Sequence, residues 1–453
     1  MAYRARNIFT LIVLTSIITT SLFGQNINQP KISQELLRKD FLLLRDTLRK
    51  IHPSLYRYQT KSAIDKMFDS CLLSIPDSLT VFEFYAPISY MISSIGDGHT
   101  NCKLSRGAIN NYMSSTTSFP ATIIFIHNKA YVYCCKQNTA ITASELLSIN
   151  NQPMNKIILR LFKYVQSDAF ILLHKNWELP ETFHLLYNVL YGTPKNYDIT
   201  YKMQSGEVKK TTLQADTIKN ILCPPPFTRP TKYLQLTYES KGVARLSIKT
   251  FFNGFLKQTG EDFSKFLDSA FTDIKNQKTE KLLIDIRGNQ GGNDENGELL
   301  YAYLTAKPFM YYKDQETVRE KFLIKDHPNM ALQQPKENSF AGKVYILADG
   351  RSFSVSAEFC AIVKTNNRGK FIGEECGGGY YGNTSGDEDF ITLPNSQINV
   401  RVPMVKYSSA VKSIGNKVWS IQPDYPVYSS ITDIINKRDG QLKYAIKLVE
   451  GLQ

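Results

Sequence analysis

Apolar residues in the first part of the chain recur at helical spacing. Leu37, Phe41, Leu44, Leu48 and Ile51 fall on one helix face, and Pro53 stops the run. A second helix is predicted over residues 62–73, with Ile64, Met67, Phe68 and Cys71 as its buried stripe. A third starts at Thr80, whose hydroxyl can cap the backbone while Glu83 reaches back, and it turns Val81, Phe84, Ile88, Met91 and Ile95 inward. These three make a small helical N-terminal domain, residues 25–105, that leads into Gly96-Asp97-Gly98-His99-Thr100.

From about residue 119 the texture changes to short β-like runs, 121–126 and 130–133, followed by the 145–153 stretch and a helical segment. Strands over 197–203 and 209–213, joined at Ser205-Gly206, close this part, and Pro224-Pro225-Pro226 breaks the chain as a linker does. After Tyr233 strands predicted at 244–248, 281–286, 344–348, 370–372 and 398–402 are interleaved with helices at 260–276, 296–305, 354–364 and 441–448. Continuous apolar strands separated by helices imply a mainly parallel sheet covered on both faces. The fold class is therefore α/β and multidomain, and 453 residues with 42% hydrophobic content suffice for two or three packed cores.

The first residues pair Arg4 and Arg6 with an apolar run from Ile8 to Phe23 that turns polar at Gln25, the layout of a signal peptide over residues 1–24 cut after Gly24. A signal anchor is the competing reading, because the run is long and Leu22 is an imperfect residue two before the cut. No second apolar stretch approaches the roughly 18 residues that span a bilayer, so no integral membrane segment is expected after cleavage. An exported protein of the periplasm or cell surface follows. Formal charge is +13, and +11 without the leader's two Arg. The basic residues are scattered, without aromatic-basic clusters, so no nucleic acid partner is expected. Seven Cys form no CxxC pair and no zinc spacing, and their low density argues against a disulfide scaffold.

Three segments place useful groups at element ends. In Asp285-Ile286-Arg287-Gly288-Asn289-Gln290-Gly291-Gly292 a strand runs into a glycine-rich turn that can turn backbone N–H groups toward an anion; the alternative is a plain tight turn. It has neither Walker nor dinucleotide spacing. After the strand at 344–348, Ser352, Ser354 and Ser356 lie at a helix start, where an alkoxide or oxyanion is stabilised, or where a serine simply caps the helix. His99 sits in a turn between Gly98 and Thr100 near Asp97, and its ordinary pKa suits a base for a serine. The other His (52, 127, 174, 184, 327) lack such a setting; His52 before Pro53 looks structural. With no HExxH or paired-His spacing, and Asn293-Asp294-Glu295-Asn296-Gly297 unlike an EF-hand loop, neither a metal nor any other cofactor is expected.

In this order, Gly96 to Thr100, Asp285 to Gly292, Ser352 to Ser354 and the glycine-rich Gly373-Glu374-Glu375-Cys376-Gly377-Gly378-Gly379 resemble the serine peptidase family of the tail-specific (C-terminal-processing) and tricorn core proteases. The resemblance covers most of the mature chain. It implies a PDZ-like middle domain, residues 116–215, that holds an extended peptide by strand addition, and an α/β catalytic domain, residues 233–453. It places the nucleophile on Ser354 and the oxyanion hole on the N–H groups of Gly291 and Val355. The family activates its serine by a lysine after the nucleophile or by a histidine in the N-terminal motif; here no Lys lies in the glycine-rich segment and His99 is present, which implies the histidine branch.

Two features depart from the pattern. A glutamate common after the nucleophile stands one position late, at Glu358, which leaves Ser356 as an alternative register. Tricorn-type relatives carry a late acidic residue, but residues 393–422 contain no Asp or Glu. Asp97, Glu374 and Ser94 are candidates for orienting His99. The implied activity is hydrolysis of peptide or protein substrates, and the rival is a non-catalytic peptide- or lipid-binding protein on the same scaffold.

Overall fold

The structure is a computed structural model that describes residues 30–225, 229–415 and 419–452. The expected leader, residues 1–24, lies outside the described residues.

Helices Gln34–Ile51, Lys61–Leu73 and Val81–Ser93 form where the spacing put them. Leu37, Phe41, Leu44 and Leu48 are fully buried, each contributing about 2 kcal/mol relative to exposure. The capping box at Thr80 is complete: Glu83 N–H donates to Thr80 Oγ1 at 3.3 Å, and Thr80 N–H to Glu83 Oε2 at 2.8 Å.

The middle segment is an antiparallel sheet in the spatial order Val208–Gln214, Asn196–Lys202, Glu145–Ile149, Lys129–Cys134, Thr122–Ile126. Thr122–Ile126 is an edge strand, and the helix Leu172–Tyr191 packs along it. One continuous apolar core joins the first helices to this sheet and takes in Leu393, Ile398, Val400 and Val402 from much later in the chain.

The last segment builds a sheet ordered Leu234–Ser240, Val243–Ile248, Lys281–Asp285, Lys343–Ala348, Gly369–Gly373, Tyr425–Pro426, parallel except at its first pair. Leu282, Ile284 and Ile346 turn to one face, in a core with Phe271 of helix Phe263–Asn276 and Phe359 of helix Val355–Thr365. Leu283, Leu347 and Ile372 turn to the other, under Ala445 and Val449 of the C-terminal helix Gly440–Glu450. Burial on both faces explains the unbroken apolar runs.

One expected member is not in this sheet. The strand predicted at 398–402 is Asn399–Ser409, and it pairs antiparallel with Thr384–Thr392, with Tyr312–Glu316 and with Asn101–Lys103, just after His99. Val400 and Val402 are buried while Asn399 is exposed and Arg401 half-buried, the alternation of a strand with one wet face.

A disulfide joins Cys134, at the end of a middle-sheet strand, to Cys223 beside the proline linker, 89 residues apart. It is a single clip among the described residues; Cys71, Cys102, Cys135, Cys360 and Cys376 are buried thiols. Chain-entropy arguments assign such a bond about 2–4 kcal/mol. Cys134→Ser or Cys223→Ser should lower the unfolding free energy by about that amount in a denaturant titration, and a reductant should destabilise the parent protein but not the variants.

Candidate active site

Because Lys281–Asp285 and Lys343–Ala348 are parallel neighbours in register, the turns that follow them leave the sheet side by side. The Gly288 N–H donates to both oxygens of Asp349 at 3.0 and 3.1 Å, the Ser352 hydroxyl to Ile286 O at 3.1 Å, and the Phe353 N–H to Asn289 O at 3.2 Å. Asn289 is fully buried; its Nδ2 donates to Ile248 O at 3.0 Å and its Oδ1 accepts the Gly291 N–H at 2.9 Å. Burial alone would raise the Asp285 carboxyl, but Arg287 at 2.9 Å and Lys249 at 3.0 Å hold it well below the usual carboxylate range.

Ser354 stands at the N-terminus of helix Val355–Thr365 with φ 55° and ψ −127°, a conformation that costs a non-glycine residue about 1–3 kcal/mol. Its hydroxyl makes no capping bond, so the ordinary N-cap reading does not describe it. Gly291, at φ 94°, lies directly against it: a Cβ there would come 2.7 Å from Ser354 Cβ and 2.9 Å from Val355 N. The Val355 N–H has no acceptor among the described residues and lies at the positive end of the helix, whereas the Gly291 N–H is engaged by Asn289. Ser356 is wholly buried two residues further on.

The ring of Phe353, next to Ser354, is held between two imidazoles: His99 at 4.5 Å and His174, from helix Leu172–Tyr191, at 4.6 Å between centroids. A Cβ on Gly98 would strike this ring at 2.7 Å, so only glycine lets the Gly-Asp-Gly-His turn come so close. His99 is thus beside the residue preceding Ser354, with no hydrogen bond between the His99 and Ser354 side chains among the described residues. Its Nδ1 is buried without a hydrogen-bond partner, 3.9 Å from Asp97 Oδ1. Burial pushes the imidazole down to about 4, against the pull of Asp97.

Asp97 accepts His52 Nε2 at 2.9 Å, the Thr100 hydroxyl at 2.5 Å and the His99 N–H at 3.1 Å. His52, which looked structural, therefore positions Asp97; its bond holds that carboxyl low although burial pulls the other way. Ser94 donates to Tyr90 O at 2.7 Å, and Glu374 accepts from Gln441 Nε2 at 3.0 Å; among the described residues neither makes a hydrogen bond to His99.

Two further acids stand here, and of these Asp168 carried no sequence signal. Asp168 accepts the Gly98 N–H at 2.8 Å and the Gly379 N–H at 3.1 Å, bridging two of the motifs, and its carboxyl is pushed up to about 7 by burial and by Asp97. Donor atoms of Asp97, His99 and Asp168 lie within 4.8 Å of one another, so these are also the residues close enough to share a cation. Glu358, pushed up to about 8 by burial, accepts the Tyr312 hydroxyl at 2.5 Å and Asn383 Nδ2 at 2.7 Å, tying the Ser354 helix to the antiparallel sheet.

Residues 242–427, which contain both strand-end turns and Ser354, match Peptidase family S41. The chain carries an S41 serine peptidase domain. No curated protein matches the sequence. Among solved structures, mature CPAF complexed with lactacystin has 12% identity, covering 92% of this chain and 98% of that one with a TM-score of 0.63. Mature CPAF alone gives 12%, 92%, 96% and 0.63. The fold likeness thus extends beyond the S41 domain into the helical and middle segments.

Two outcomes follow. Gly291→Ala should lower the reactivity of Ser354 toward an acylating or phosphonylating reagent at least tenfold while far-UV circular dichroism is retained, because its Cβ displaces the serine. Glu358, Glu374 and Asp168 have folded-state values of about 8, 7 and 7, raised above their unfolded ones. Their stabilisation is full below the unfolded values and lost as pH rises through the folded ones. Denaturant titrations should therefore give a lower unfolding free energy at pH 9 than at pH 7, with a shallower fall in Glu358→Gln.

Proposed function

We propose that the chain is an exported peptidase of the periplasm or cell surface that cleaves peptide bonds with Ser354 as nucleophile and His99 as general base. The observation that carries this reading is the strained Ser354 at a helix N-terminus, with its hydroxyl capping nothing, the Val355 N–H unpaired beside it and His99 stacked on its neighbour. Export rests on the leader-like residues 1–24; among the described residues no helix is long and apolar enough to cross a membrane. On this reading residues 25–105 are the helical domain that supplies His99, residues 116–215 a PDZ-like domain that holds substrate, and residues 233–453 the catalytic domain.

His99 takes the proton of Ser354 Oγ as the oxygen attacks the scissile carbonyl, and the developing oxyanion lies against the Val355 N–H. Gly291 gives that oxyanion room, and its N–H joins the hole when shared with Asn289. The imidazolium returns its proton to the leaving amine; water, deprotonated by the same ring, then hydrolyses the acyl-enzyme. The low pKa of His99 keeps the ring in its free-base form at neutral pH. Asp97 and Asp168 are the carboxyl groups close enough to compensate the imidazolium. Binding substrate draws Ser354 and His99 into hydrogen-bond contact, as apo sites often require. The lack of a hydrogen bond between the Ser354 and His99 side chains among the described residues favours a second reading, a non-catalytic peptide- or lipid-binding protein.

A fluorophosphonate probe on the purified protein, with the label located by peptide mass spectrometry, separates the two. Label on Ser354, lost in Ser354→Ala and in His99→Ala, is the expected result. A folded protein that takes no label supports the binding role, and label on Ser356 moves the register. The labelling rate should hold down to about pH 4, the value of the buried His99, instead of falling near the 6.5 of a free imidazole.

A further inference from the structure

A cavity of about 250 Å³ opens between the edge strand Thr122–Ile126, the helix Leu172–Tyr191 and the S41 domain. Its lining reaches Gln290, which precedes the Gly291 that lies against Ser354, and Arg351, which lies three residues before Ser354. The pocket thus reaches both strand-end turns of the S41 domain, although Ser354 itself is not among its lining residues.

Its charged lining is mostly acidic. Glu178, Glu181 and Glu374 contribute three carboxyl groups against one guanidinium, that of Arg351. Arg351 stacks on Trp177, 5.5 Å from the ring centroid, and no described ion pair joins it to any of the three. Glu178 lies 3.9 Å from His174 Nε2. Asn176, 3% exposed, donates from Nδ2 to Asn128 Oδ1 at 3.1 Å, and its own Oδ1 is buried with no hydrogen-bond partner. A buried acceptor without a donor is destabilising, and a donor-bearing ligand removes that cost. Burial pushes Glu374 up to about 7 and raises Glu181, while the charge of Arg287 pulls the first down and those of Lys103 and Arg351 pull down the second. On a chain of formal charge +13, whose net charge repels cationic peptides, this acidic pocket is a local inversion of sign.

We infer that this pocket, deepening the peptidase reading on which it rests, is a specificity subsite for a cationic group of the substrate, a Lys or Arg side chain or a free amino terminus, received by Glu181, Glu374 and Asn176. An extended peptide running from the unpaired edge of Thr122–Ile126 toward Ser354 passes the pocket, so the cationic group lies close in sequence to the bond presented to the serine.

The test uses binding, so that it does not depend on catalysis. Full-length Ser354→Ala protein is titrated, by fluorescence anisotropy at physiological salt, with fluorescein-labelled random 12-residue peptide pools. One pool carries Lys and Arg; a second carries acetyl-lysine and citrulline at the same positions; each is made with a free and an acetylated amino terminus. The charged pool should bind at least about tenfold more tightly than the neutralised one, and the difference should vanish in Ser354→Ala/Glu181→Gln/Glu374→Gln. Loss on side-chain neutralisation identifies Lys or Arg as the source, and loss on acetylating the terminus identifies the free amine. Equal binding of all four pools, or a preference that survives the glutamine substitutions, overturns the inference. Fluorophosphonate labelling of the unsubstituted protein separates the two ideas: label on Ser354 together with no charge preference in Ser354→Ala sinks the subsite alone, and charge preference in Ser354→Ala without label on the unsubstituted protein sinks the peptidase reading alone.

Discussion

The ring of Phe353 is where three distant parts of the chain are made to agree. His99 comes from the turn after the first helices, His174 from the helix along the middle sheet, and Phe353 from the strand end of the S41 domain; the ring lies between the two imidazoles. None of these parts brings an imidazole beside Ser354 by itself. Stacked rings at 4.5–4.6 Å, closed off by a glycine on one side, set the spacing of the helical segment from the S41 domain to within the thickness of an aromatic ring. Arg57 reinforces the join, donating to the carbonyls of Tyr381, Asn383 and Tyr407 across more than 320 residues of sequence.

Features that depend on a few neighbouring residues were legible in the sequence. The capping box of Thr80 and Glu83, the apolar stripe of Leu37, Phe41, Leu44 and Leu48, and the two-faced strands at 281–286 and 344–348 each carry their own periodicity or side-chain chemistry. The same holds for the strand-end turns, because a Gly-rich or Ser-rich segment after a buried strand marks the rim of a parallel sheet. Asp168 was not legible: Ser167-Asp168-Ala169-Phe170 has no motif, and the acid matters only because folding brings Gly98 and Gly379 to its oxygens. Likewise Asn399–Ser409 gave an apolar run that fitted a parallel sheet until its partners, Thr384–Thr392 and Asn101–Lys103, were known. The clip between Cys134 and Cys223 was hidden among seven cysteines with no spacing rule.

Glu374 and Glu358 show how a side chain's surroundings decide its work. Glu374, a candidate partner for His99 on sequence, instead lines the acceptor-rich pocket and takes Gln441 as its donor. Glu358, displaced by one position from where relatives carry an acid, is a wholly internal tie whose two donors, Tyr312 and Asn383, belong to the antiparallel sheet region. The late acidic residue sought between residues 393 and 422 has no counterpart there, and the acids nearest His99 come from before the S41 domain.

The bond between Cys134 and Cys223 gives the molecule a tolerance that a peptidase of its own kind has reason to possess. A hydrolytic nick anywhere in the intervening chain, which holds the middle-sheet strands Glu145–Ile149, Asn196–Lys202 and Val208–Gln214 and the helix bearing His174, produces two polypeptides that remain one covalent particle. In oxidising surroundings such a nicked protein keeps its imidazole pair and its serine in the same body, whereas in a reducing compartment the same wound leaves the halves held by packing alone.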